Sequence, residues 1–239
     1  MSLMRMAAFV LAIPLLCVQA FGQAEPLFQG PVPVRLNGEL TKIPVTLYAE
    51  TAGEQSESIV LHAYAKTEDL APILRQQLQF LAEDKISACE LRIDVPETRV
   101  GVNGSLLVTT AIVSAEVWVC SILKTRLGGE TAQIVAGAQP TVRNGRLHLE
   151  PGSLQIEGIG DLITSIGGDQ VLQDLYIQAI DRFNRDRRLT SVPRKLANAG
   201  FTYQTAEVGT FNGEPSMLRV SIVGPNDLVS LAKILAGIQ

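Results

Sequence analysis

Histidine and cysteine are scarce in this chain of 239 residues, which has two of the first and three of the second. That scarcity removes whole classes of chemistry. Cys17 lies in a leader-like start, so Cys89 and Cys120 are the thiols of the remaining chain. These residues make no zinc-ligand spacing, which normally gathers cysteines and histidines in close pairs. No metal and no cofactor is expected. His62 and His148 sit in strand-like runs, Ile59-Val60-Leu61-His62-Ala63-Tyr64 and Arg146-Leu147-His148-Leu149-Glu150. Alternation puts His148 with Arg146 and Glu150 on a polar face. A histidine base needs an orienting acid and a nucleophile within reach, and no Gly-x-Ser-x-Gly elbow supplies one. The expectation is a non-enzyme. A hydrolase built from carboxylates alone stays open, since its acids need not be neighbours along the chain.

A phosphate loop is missing too. Gly158-Ile159-Gly160 and Gly167-Gly168 come near the start of a helix-like segment, but they match neither the dinucleotide nor the Walker spacing. Basic excess is absent, with a net charge of −4, which argues against a general nucleic-acid binder. Nor is there a Ser/Gly linker, a long charge run or a low-complexity segment, so one domain is expected.

What the chain does have begins with a charged start at Arg5, an apolar core over Ala7–Val18 and small residues in Val18-Gln19-Ala20 and Gly22-Gln23-Ala24. This is the layout of a secretory signal peptide, with cleavage expected after Ala20 or Ala24. Leu16 precedes Cys17 where a lipobox would need a small residue, so lipidation is not expected. Removing residues 1–24 takes away Arg5 and no acid, leaving 19 bases against 24 acids. Residues 25–239 are then an exported domain, periplasmic or secreted.

Leu106–Leu123 is the longest apolar run of that domain and holds its only Trp. A membrane helix needs ~17–25 apolar residues, yet Val, Ile and Thr recur throughout, and these crowd a helix and suit a sheet. Glu116 near the centre would cost roughly 2.5–3.5 kcal/mol in a bilayer. We therefore read a long central strand over about residues 105–123, with no transmembrane span after cleavage. Four Asn-Gly pairs, at Asn37, Asn103, Asn144 and Asn212, mark hairpins, because a type I′ turn needs two residues with φ > 0. Amphipathic patterns give helices over about 68–84 and 169–187, and a short one following Pro225-Asn226-Asp227. The class that results is α+β: an antiparallel meander packed against two long helices and a short C-terminal one.

Register decides whether Cys89 and Cys120 can bond. A turn at Asn103-Gly104 sets Cys89 opposite Trp118, with Cys120 its diagonal neighbour on the same face. A one-residue slip at Pro96 instead brings the apolar face of Cys89, Leu91, Ile93 and Val95 onto Val113, Ala115, Val117 and Val119, and parts the sulfurs. The disulfide stays open.

Six bases, Arg182, Arg185, Arg187, Arg188, Arg194 and Lys195, fall within fourteen residues. They form a candidate anion-binding patch for phospholipid headgroups, polysaccharide or an acidic partner. Bases also gather at helix C-termini, where the macrodipole favours them. Both faces of the central strand are apolar and need cover. At the level of architecture alone, long apolar strands with lone helices in an exported chain resemble the tubular lipid-binding domains. The resemblance implies a lipid-like apolar or amphipathic ligand held between sheet and helices. The alternative is an envelope protein-interaction or assembly module with a closed core and no ligand.

Overall fold

The computed structural model describes residues 25–36, 39–51, 57–85, 91–120, 124–158, 160–161, 164 and 168–226. The expected signal peptide, the C-terminal helix, and the side chains of Cys89, Cys120 and Arg188 lie outside the described residues. The class is α+β. Among the described residues nine strands form two antiparallel sheets where the sequence suggested one meander. Strands β1 (Phe28–Leu36), β2 (Glu39–Thr51) and β3 (Ser58–Lys66) join β8 (Thr202–Phe211) and β9 (Glu214–Pro225) in the order β1-β2-β3-β9-β8. A separate meander has the order β4-β5-β6-β7, from β4 (Leu91–Asn103), β5 (Leu106–Cys120), β6 (Lys124–Arg143) and β7 (Arg146–Glu157). Between β3 and β4 a 3-10 turn, Thr67–Leu70, leads into α1 (Ala71–Lys85), so Glu68 and Asp69 precede the α-helix proper. Between β7 and β8 lie α2 (Gly168–Arg185), α3 (Arg187–Thr190) and α4 (Arg194–Ala197).

β5 alternates as a half-buried strand should. Leu107, Ala111, Val113, Ala115 and Val117 are buried, while Leu106, Val108, Ile112 and Trp118 on the other side are half-buried. Its one charge is answered in place: Glu116 accepts from Trp118 Nε1 at 3.3 Å and pairs with Arg126 at 3.1 Å. Among the described residues no helix is long and apolar enough to cross a membrane.

The turns refine the register. Asn144-Gly145 and Asn212-Gly213 have positive φ at both residues, 53° and 68° in the first, 53° and 80° in the second, the type I′ pattern. Asn103, in contrast, pairs with Leu106, and the corner is Gly104-Ser105, with φ of 62° at Gly104 alone. This is the II′ pattern, with glycine at the first corner. Further along β4 the ladder skips Val95 and Pro96, and beyond that bulge Ile93 meets Ala115 and Leu91 meets Val117. Pro96, having no N–H, sits where the ladder is broken.

Each sheet has its own helical cover. Ala82 of α1 with Leu172 and Leu175 of α2 pack on Ile93, Ala111 and Val113 of the meander. Val192, Leu196, Ala199 and Phe201 pack instead on Leu47, Leu61 and Ile222 of the five-stranded sheet. Phe201, 1 % exposed, occupies space that a side chain at Gly224 would take. The two layers meet where Val208 of β8 packs on Val100 and Leu107, with Leu70 and Leu74 beside them.

Candidate functional site

Two of the bulges that interrupt the meander are points where helices are fastened to it. Val95, off the ladder at the Pro96 bulge, donates its N–H to Gln79 Oε1 at 2.9 Å and accepts from Arg75 Nε at 3.0 Å. Side chains of α1 thus replace the missing ladder bonds, as buried backbone groups require. A second bulge interrupts β6 and β7 between Ala136 and Ala138. There the Tyr176 hydroxyl of α2 donates to Gly137 O at 2.6 Å and accepts from Gly152 N at 2.9 Å. The two strands approach so closely that a Cβ on Gly152 would stand 2.7 Å from Gly137 O. Burial pushes the Tyr176 phenol up, against the lowering effect of its bond from the Gly152 amide. Farther along α2, Asn184 pairs with both backbone groups of Leu149 on edge strand β7, accepting at 2.8 Å and donating at 2.9 Å.

Held at the sheet's outer strands, α1 and α2 roof a cavity of about 530 Å³ over its middle. That volume falls within the ~300–1,000 Å³ of small-molecule sites. Small side chains make the space: Ala111, Ala136 and Ala138 in the floor, Ala82 and Ala179 in the roof. Leu78, Ile93, Val113, Ile134 and Leu172 give it an apolar wall at one end, Leu74, Leu107, Leu149 and Leu189 at the other. Five residues with polar groups also line it: Gln77, Thr109, Tyr176, Arg182 and Asp186. The Gln77 Nε2 is buried with no hydrogen-bond partner. Arg182, itself exposed, lays its guanidinium 4.7 Å from the centre of the Phe80 ring on α1, a cation–π contact across the two helices.

The described bases of the sequence cluster do not converge on this cavity. Of the five whose side chains are described, Arg182 alone lines it. Arg185 is 83 % exposed and pairs with Asp181 one turn back, at 3.3 Å. Arg187 is exposed. Arg194 and Lys195, also exposed, belong to α4, whose Leu196 packs on the other sheet. Sequence spacing could not separate them, because Ser191–Pro193 carries the chain from one layer to the next. Gln77, Thr109, Tyr176 and Asp186 were missed outright. A Gln within the apolar stripe of α1, between Leu74 and Leu78, is the one signal available beforehand.

On the five-stranded sheet His62 has both an acid and a hydroxyl within reach, which chain proximity did not suggest. Its Nε2 lies 2.9 Å from Glu50 Oε2 and its Nδ1 2.8 Å from Ser221 Oγ, which in turn accepts from Thr205 Oγ1 at 3.0 Å. Direct register pairs make this row, with His62 opposite Ser221 on β9 and Ser221 opposite Thr205 on β8. With Ser221 2 % exposed and none of the four lining the cavity, the row acts as a cross-strand polar ladder. Among the described residues no group of three or more His, Cys, Asp and Glu could hold a metal ion. Comparison with protein-family models and with curated protein sequences finds no match to this chain.

Proposed function

We propose that the chain is an exported, non-catalytic domain that binds an apolar or amphipathic, lipid-like ligand between the meander and helices α1 and α2. The observation that carries this reading is the cavity of about 530 Å³ beneath the two helices, with its mostly aliphatic lining. A hollow walled by Leu, Ile, Val and Ala gains nothing from water and excludes it. An alkyl chain entering it contributes ~0.8 kcal/mol per buried methylene. Association itself costs roughly 4–15 kcal/mol, so roughly five to twenty buried methylenes are needed to offset it. Charge recognition, on this reading, belongs to Arg182 at the helix interface, and Arg187, Arg194 and Lys195 are dispensable.

Gentle purification followed by organic extraction and mass spectrometry tests the proposal. Lipid should be recovered at close to one chain per protein, and the emptied protein should take up an apolar fluorescent probe that added fatty acid displaces. A lipid-free protein that unfolds cooperatively and binds no such probe has filled its own core. The interaction-module reading would then replace this one.

A further inference from the structure

Arg182 is the one exposed residue of the cavity lining; every other lining residue is buried or half-buried. The hollow therefore meets solvent beside Arg182, on the seam between α1 and α2. Both helices are fastened away from that seam. Gln79 and Arg75 tie α1 to Val95 on β4, while Tyr176 and Asn184 tie α2 to Gly137, Gly152 and Leu149 on β6 and β7. Because β4 and β7 are the edge strands of the meander, these anchors hold the helices at opposite sides of the sheet. What spans the seam is the Arg182 guanidinium, 4.7 Å from the centre of the Phe80 ring. Phe80 is 36 % exposed and does not line the cavity, so the pair lies over the hollow rather than inside it.

We infer that ligand enters and leaves between α1 and α2, through a mouth that the Arg182 guanidinium closes by stacking on Phe80. The inference rests on the cavity being a ligand site and adds the route into it. An exposed cation–π contact favours the closed arrangement by roughly two- to fivefold, which makes it a latch that opens without a competing charge. Passage that waits on opening gains speed in both directions when the latch is lost, and affinity stays as it was.

Stopped-flow mixing with the apolar fluorophore N-phenylnaphthylamine reads both rates, entry from the slope and exit from the intercept of the observed rate against probe concentration. In Phe80→Leu, which removes the ring from outside the lining, entry and exit should both rise roughly two- to fivefold with Kd unchanged. Phe80→Tyr keeps the ring and should match wild type. Arg182→Met keeps the length, loses the cation and should speed entry by a similar factor. The double variant Phe80→Leu with Arg182→Met should enter no faster than either single one, because both remove the same contact. Entry that fails to rise in either single variant, a Kd that moves in Phe80→Leu, or gains that multiply in the double variant overturn the inference and leave the cavity reading standing. Failure of the wild-type protein to bind the probe at all overturns both.

Discussion

Two tyrosines show how a single hydroxyl is used in opposite ways. Tyr176 joins Gly137 O and Gly152 N where β6 and β7 lose register, so its oxygen replaces the ladder. Tyr176→Phe should lower unfolding free energy by about 1–2 kcal/mol, because the ring stays and two backbone groups lose their partner. Chemical denaturation with unchanged m-value checks this, and an unaffected midpoint would mean that water replaces the hydroxyl at no cost. In Tyr203 burial pushes the phenol up to about 12, from an ordinary 10.0. The unfolded chain therefore releases this proton first as pH rises. Stability from the neutral phenol is intact below pH 10 and declines between about 10 and 12, by at most roughly 2–3 kcal/mol. Tyr203→Phe should flatten that part of the stability curve, and an identical alkaline slope in the two proteins would sink the assignment. Neither role was readable beforehand, because a tyrosine in a sequence carries no mark of which backbone it will meet.

At the scale of elements, alternation within a strand was legible, as were the corners at Asn144 and Asn212, while the corner at Asn103 was off by one. The run from Leu106 is a strand because its β-branched residues fit the pleat, and Glu116 is tolerated because Arg126 and Trp118 reach it across and along the sheet. Through the slip at Pro96 the backbone of Leu91 pairs with Val117, and Ile93 meets Ala115, both of them buried. Matching buried faces outweighs an uninterrupted ladder there. Asn-Gly marks a hairpin without fixing which two residues make its corner. Asn103 belongs to the β4 ladder and Gly104 takes the positive φ. Asn103→Thr should then be nearly neutral, whereas Gly104→Val should cost at least about 1 kcal/mol. At the other kind of corner Asn144→Thr should be costly as well, since Asn144 itself has φ of 53°. Thermal unfolding of the three variants decides it. Equal losses at Asn103 and Asn144 would place Asn103 at a corner after all.

For the whole molecule, the decisive pairings are remote. β3 finds β9, so that Leu61 lies opposite Ile222 and His62 opposite Ser221. A period of two says that each is a strand and nothing about which distant strand it will choose, which is why two sheets looked like one meander. The cavity is hidden from sequence for the same reason. Ala111, Ala136 and Ala138 become one hollow only when β5 and β6 pair in the observed register, with Ala136 beside Thr109 and Ala138 beside Leu107. A closed core would fill that space, and adding methylenes to a filled core typically costs ~1–3 kcal/mol. Ala136→Leu in the floor and Ala179→Leu in the roof put that cost to the test, since both are half-buried residues of the lining. Set in the hollow, each added side chain should cost less than about 1 kcal/mol of stability and weaken apolar-probe binding at least tenfold, with the double variant weaker still. Variants that are strongly destabilised would show that the helices already close on the sheet. Variants that fold well and bind as before would move the ligand elsewhere on the protein.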